Sequence, residues 1–492
     1  MAWPNGIIDP VVVKSADFLR SLGFCLTMFL AGSVQALDVG FGEVDITPKL
    51  GGKEKVWLAG YGTGREAAGV HDPLMARCVV LQDGGTRIAL ISVDLVGLQF
   101  PAVQQIRNQL PGFSYVLVSS THNHEGPDVI GMWGRNQYSY GVNDKYVKEV
   151  IGRCVDLVKD SAAAMVENVS VSYGTAEDAS LLRDTRQPAA LDAVLRVLVF
   201  SSRSGKKVGL LVQWNSHPEA MGPQNKLITA DFPWATVGEL RKRYQCPVAY
   251  FTGAVGGLMA PPAGPTTFEY TKKHGIQVAG LAAKAVEAAR PLKLTPMGVE
   301  ARLLYLPVTN RLYRLGLSMG VLRRERFVST GDPYRKGQPM SGKNSGERMT
   351  IETEVACLQL GELSLAAIPG ELYPELVYGK FQEPADPAAD FPNAPLEPTI
   401  RQVLGERKWM LFGLSNDEVG YLIPKRQWDT RKPYAYGREK AQYGEANSCG
   451  PEAAMIVMKG FARCVAGQGP AEKRGQGGRA PGGDPAEQAG QD

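Results

Sequence analysis

Histidine is scarce in this chain, with five residues in 492, so the positions of those five carry information. An excess of one charge is also missing. The 54 Lys plus Arg are nearly matched by 50 Asp plus Glu, for a net charge of +4, and there is no long basic block. That balance excludes an ordinary nucleic-acid protein. Beyond the N-terminal leader, no segment approaches the roughly 20 consecutive apolar residues that a membrane-spanning helix needs. No internal repeat is visible, and no Cys-x-x-Cys pair occurs, which argues against a Cys-rich zinc site. With 44% hydrophobic and 21% charged residues, whole-chain disorder, collagen and coiled coil are excluded. The length allows two or three domains of about 150 residues, or one large one.

The two ends read as separate from the fold. Leu22 to Gly32 is a nearly unbroken apolar run, preceded by Lys14 and Arg20 and followed by Ser33, Val34, Gln35 and Ala36. This is the pattern of a secretory signal peptide over residues 1–36, cleaved after Ala36, and it predicts a secreted or periplasmic protein. Residues 467–492 are rich in Gly and Pro with no large apolar side chain, a composition that predicts a disordered tail. The folded part is then residues 37–466. Export would remove Cys25 and leave Cys78, Cys154, Cys246, Cys357, Cys449 and Cys464, either as disulfides or as buried free thiols.

Between the ends, strands and helices alternate. Arg87 to Leu95 and Tyr115 to Ser119 read as buried strands. Lys145 to Val166 carries apolar residues at helical spacing, Val169 to Tyr173 alternates as a strand, and Phe268 to Ala289 is an Ala-rich helix. Ala193 to Phe200 and Lys207 to Trp214 flank a turn, as do Val355 to Leu360 and Leu363 to Ile368, so two hairpins are expected. Pro247 to Thr252 completes the strand set. This mixture predicts an α/β protein of mixed sheets with flanking helices. Residues 310–350 have little periodicity and read as a long surface insertion, a candidate lid.

The chemistry falls at strand ends. Tyr115 to Ser119 runs into Ser120, Thr121, His122, Asn123 and His124. Two His at i and i+2 share one face of an extended chain and can aim two imidazoles at one point. The strand Leu210 to Trp214 likewise leads to His217, which makes it a third candidate ligand. His71, in a turn before Asp72, and His274, after Lys272 and Lys273, read as plain surface residues.

Five segments in order resemble the neutral/alkaline, non-lysosomal ceramidases, a zinc-dependent amidase family. They are Gly60-Tyr61-Gly62 with His71-Asp72-Pro73; Thr121 to Pro127; Pro369-Gly370-Glu371; Asn416 to Tyr421; and Tyr443-Gly444-Glu445 with Gly450-Pro451. The resemblance implies one large zinc-hydrolase catalytic domain. It implies Zn2+ held by His122, His217, Glu371 and Tyr421, with His124 handling protons, Tyr443 facing the scissile carbonyl and Arg186 near the substrate oxygen. The implied function is cleavage of a secondary amide, ceramide or another N-acyl amine, by a zinc-activated water. The implied partner is a small-molecule or lipid N-acyl amine, with transient contact to a membrane surface and no nucleic acid.

There are departures from that pattern. Where the family has Gly-Asp-Val-Ser-Pro-Asn, this chain has Gly253, Ala254, Val255, Gly256, Gly257 and Leu258. Glu125 replaces a Ser after the His pair and is expected to place negative charge near the metal. The family's C-terminal Ig-like domain is not expected here. Poor turnover of ceramide is expected for these reasons. Two rival readings remain. Asn123-His124-Glu125 resembles a binuclear metallophosphoesterase motif, with Asp94 as a candidate partner. A non-catalytic exported binding protein on the same scaffold is the other.

Overall fold

The computed structural model describes residues 37–341 and 347–468. The expected leader lies outside them, as does the expected tail apart from Gly467 and Gln468. Three sheets form the body of the fold. The first has strands Asp38–Asp45, Met75–Asp83, Thr86–Val93 and Tyr115–Ser120 in that spatial order. The second runs Val248–Thr252, Lys207–Trp214, Val194–Ser201, Ser170–Glu177 and Arg290–Leu292. The third runs Met297–Pro307, Met349–Leu360, Leu363–Ala367 and Lys408–Phe412. Helices such as Asp144–Ala163 and Phe268–Ala288 pack on these sheets. Among the described residues no Ig-like domain follows the last helix, Ala453–Gly467, which extends one residue into the segment expected to be tail.

Each sheet is antiparallel except for one parallel pair. Tyr115–Ser120 runs parallel to Thr86–Val93, and Val248–Thr252 to Lys207–Trp214. Lys408–Phe412 runs parallel to Leu363–Ala367. A parallel pair requires a crossover, and the first two are supplied by helices Phe100–Asn108 and Phe232–Tyr244. The consequence is that all six of these strands end at one place. There Asn416 N–H donates to Val118 O, Ser120 N–H to Leu414 O, and Gly413 N–H to Thr252 O, so the three sheets are joined at their strand ends. Phe251 and Phe412 stack at 4.1 Å between the second and third sheets. Both are fully buried, and truncating either to Ala costs about 3–5 kcal/mol.

Both expected hairpins form, with a bulge at Phe200/Ser201 in the first. The described cysteines are buried free thiols, so the disulfide alternative is not realised among them. Two expectations fail. His274 is 2% exposed against Phe232, because its helix turns that face to the core; burial pulls its pKa down to about 4. Residues 310–350 are not merely a surface excursion. Arg311–Met319 is a helix capped by Asn310, Phe327–Val328 pairs with Met349–Leu360, and Leu317 and Leu322 are buried. Interspersed Arg and Gly hide this short amphipathic helix from a periodicity reading. Among the described residues no helix is long and apolar enough to cross a membrane.

Candidate metal centre

His122 follows the first sheet's edge strand by two residues, but not in extended form. Its φ is +66°, a left-handed conformation that costs a residue with a Cβ on the order of 1–2 kcal/mol. The N–H groups of His122 and Asn123 both donate to Leu95 O, at 3.0 and 3.1 Å, and hold the turn. The expected face-sharing of an extended His-x-His is therefore replaced by a turn. The rings of His122 and His124 still lie 4.9 Å apart, and His217 is 4.8 Å from His122. Ring nitrogens of all three lie within 4.8 Å of one another, in a buried group that could hold a metal ion.

Hydrogen bonding sets the state of two of these rings. His122 Nδ1 is 2.6 Å from Val96 O, and His217 Nδ1 is 2.7 Å from Met259 O. A carbonyl only accepts, so each Nδ1 carries a proton, and each Nε2 of a neutral ring presents a lone pair. Both Nε2 atoms approach Glu371 Oε2, at 3.4 Å from His122 and 3.0 Å from His217. Three acceptors converging in a buried site require a cation among them, a proton or a metal ion. Backbone carbonyls orienting the far nitrogens is the usual support for imidazole ligands. The residues therefore fit a zinc ion. Burial disfavours a charged His122, but Glu371 outweighs it and lifts the imidazole to about 9. Burial also disfavours the Glu371 carboxylate, yet His122 and His217 hold it down at about 2. Glu371 is placed by a short parallel pairing, Glu371 to Tyr421, so the fourth expected ligand is its direct backbone neighbour.

His124 differs from the other two. Burial, reinforced by His122, His217 and Arg65, pushes its pKa well below the ordinary value, so it is a neutral base. Its Nδ1 is 3.4 Å from Glu219 Oε2. The ring packs edge-on to Tyr61, whose hydroxyl donates to Glu219 O. Gly60 is required here: a Cβ on it would lie 2.3 Å from His124 Cγ. Glu219 was not anticipated, although a carboxylate two residues after a strand-end His was a readable signal.

A small, partly open cavity of about 50 Å³ lies beside these groups, lined by His122, His124, Glu371, Tyr421, Tyr443 and Glu418 among others. Its outer wall is apolar, including Met132, Trp133 and Leu322, and continues into a wider groove along the helix Arg311–Met319. Tyr443 stands at the mouth, 55% exposed, with its ring 6.2 Å from that of Tyr421.

Three expectations change. Arg186 is 1% exposed and does not line the cavity. Its Nη1 and Nη2 grip both oxygens of Glu445, at 2.8 and 2.7 Å, and Nη2 also donates to Gln427 O, while Nε is buried without a partner, so both terminal nitrogens are committed away from a substrate. Glu125 does not charge the metal centre, because its carboxylate is bound to Arg65 and Asn225. Asp94, the candidate phosphoesterase ligand, is buried against Arg77 and accepts from Met75 N–H.

No protein-family profile matches the chain. Two solved structures share its fold. One is the neutral ceramidase from Pseudomonas aeruginosa, with a TM-score of 0.65 at 17% identity over 88% of this chain and 74% of that one. The other is a ceramidase complexed with C2, with a TM-score of 0.64 at 15% identity over 91% and 77%. The mixed α/β scaffold described above is thus the fold of those ceramidases.

Proposed function

We propose that this chain is an exported, zinc-dependent amidase that cleaves a secondary amide in an N-acyl amine. The observation carrying the proposal is the approach of His122 Nε2 and His217 Nε2 to one oxygen of Glu371, with both Nδ1 atoms tied to carbonyls. The likeness to ceramidases supports the reaction class. His122, His217, Glu371 and Tyr421 would hold the zinc. When bound, the ion lowers the pKa of a water and polarises the amide carbonyl.

The chain's own residues do the rest. Neutral His124 accepts the proton of the attacking water and returns it to the leaving amine nitrogen. Glu219, at 3.4 Å, stabilises the imidazolium formed in between. The Tyr443 hydroxyl at the mouth donates to the carbonyl oxygen as negative charge develops there. The apolar groove along Arg311–Met319 accommodates the acyl chain and excludes water. At Gly256 a Cβ would come within 2.6 Å of Leu372 and Tyr373, so the hydroxyl the ceramidase pattern places there has no room. A smaller or differently shaped N-acyl amine is therefore preferred over ceramide.

The test is a panel of N-acyl amines with zinc-loaded and metal-free protein. Zinc-dependent release of amine supports the reading. Phosphoester hydrolysis without amide hydrolysis, or no zinc uptake at all, overturns it. N-terminal sequencing of protein from its native host tests export, with Leu37 expected as the first residue.

A further inference from the structure

Asp231 holds a backbone conformation that a residue with a side chain ordinarily avoids. Its φ is +56° and its ψ −151°, at the edge of a region that only glycine enters freely. It stands before the helix Phe232–Tyr244, but capping does not account for this backbone. An ordinary cap residue is extended, and its side chain accepts from the second or third helical N–H. Asp231 accepts from the first instead, Phe232 N–H, with Oδ1 at 2.6 Å. The strained segment is held from behind. Asp231 N–H donates to Thr229 Oγ1, Thr229 Oγ1 donates to Asp72, and Ala230 N–H donates to Asp72 as well.

What the conformation achieves lies on the other side of the residue. Asp231 Oδ2 accepts from Met221 N–H at 3.1 Å, and the Ala220 amide is a further donor to the same carboxyl group. These two amides directly follow Glu219, in a turn closed by Gly222 N–H on Glu219 O. Burial pushes the Asp231 carboxyl up to about 7, against the pull of the amide donors, and a carboxyl group accepts hydrogen bonds in either state. His217, upstream in the same loop, is anchored separately: both its N–H and its Nδ1 meet Met259 O. We propose that Asp231 is a positioning residue for the acid–base pair: it clamps the turn 219–222 and so holds Glu219 against His124 Nδ1, at 3.4 Å. This rests on the amidase reading above.

The test compares zinc-loaded wild type with Asp231→Gly, Glu219→Ala and the double variant. Glycine removes the clamp, relieves the backbone and remains an acceptable cap residue. Asp231→Gly is expected to keep its zinc and to lose about 10- to 100-fold in kcat with KM little changed, as misplacing a catalytic group does. Because both substitutions disable one pair, Asp231→Gly is expected to add nothing to the loss in the Glu219→Ala background. Turnover is not the only reading. The chain has five His, so with 15N-labelled histidine the His124 ring can be followed by NMR and assigned through His124→Ala. Its signals in Asp231→Gly are expected to match those in Glu219→Ala, and both to differ from wild type. Asp231→Asn can keep the bond to Phe232 N–H or the one to Met221 N–H but not both, and is expected to change kcat and the His124 signals in the same direction, which covers a Gly variant that folds poorly. Wild-type His124 signals in both Asp231 variants overturn the inference. So does loss of zinc, a fall in activity that only tracks the folded fraction, or a loss that multiplies with that of Glu219→Ala. Matching His124 signals with no amide hydrolysis by wild type leave the positioning role standing and reject the amidase reading. Amide hydrolysis by wild type with unchanged His124 signals in the Asp231 variants does the reverse.

Discussion

His217 Nε2 and Glu371 Oε2 meet at 3.0 Å, although 154 positions separate them in the chain. The contact exists because the strands Lys207–Trp214 and Leu363–Ala367 belong to different sheets that end at the same place. His217→Ala and His122→Ala are each expected to abolish stoichiometric zinc binding while leaving the far-ultraviolet circular dichroism unchanged. Elemental analysis of the purified variants checks this, and full zinc content in either contradicts the ligand set.

His124 and Glu219 form a second relationship, at 3.4 Å. His124→Ala is expected to keep its zinc and lose about 10²- to 10⁴-fold in turnover, the usual cost of removing an acid–base group. Glu219→Gln should lose less, with kcat falling more than KM changes. Tyr443→Phe should keep zinc and lose roughly 10²- to 10³-fold, as for one oxyanion donor. Steady-state kinetics with zinc analysis separates these cases.

In metal-free protein, a proton takes the place of the ion between His122 and Glu371. Because His122 is lifted to about 9, zinc must displace that proton at neutral pH. Apparent zinc affinity is expected to rise about tenfold per pH unit up to about 9, as one proton per ion is released. A folded-state pKa above the unfolded value of about 6.5 also adds stability that is complete below about 6.5 and lost as pH rises through about 9. Metal-free protein should therefore lose thermal stability across that window, and His122→Ala should remove this part of the dependence. Competition titrations with a chelator and thermal melts at several pH values measure both.

Arg186 is expected to act on stability rather than on the reaction. Its side chain and that of Glu445 are almost fully buried and pair at 2.7 Å. Arg186→Met leaves an uncompensated carboxylate, at a cost of about 3–5 kcal/mol. Arg186→Met combined with Glu445→Gln should recover much of that loss, since the stranded charge is gone. Denaturant melts of the single and double variants, with zinc content as a control, decide the matter.

Much of the fold was legible because its strands are short apolar runs bounded by turns: Tyr115–Ser120 and Lys207–Trp214 fall where the sequence places them. The position of His122 and His217 after such strands was legible for the same reason. The three-sheet junction was not, because hydrogen bonds such as Asn416 N–H to Val118 O depend on chain crossings that leave no local pattern. The left-handed turn at His122 is held by Leu95 O, on another loop, a contact with no local pattern, so the sequence there reads as extended chain. Arg186 was placed near the substrate by motif alone. Its actual partner, Glu445, lies 259 positions away.

The most direct test of the central claim is amide hydrolysis by one preparation, assayed metal-free and then after one equivalent of zinc. The account predicts amine release that is absent before zinc and restored by it, in wild type but not in His122→Ala. Equal amine release with and without zinc, or the same activity in His122→Ala as in wild type, would contradict it.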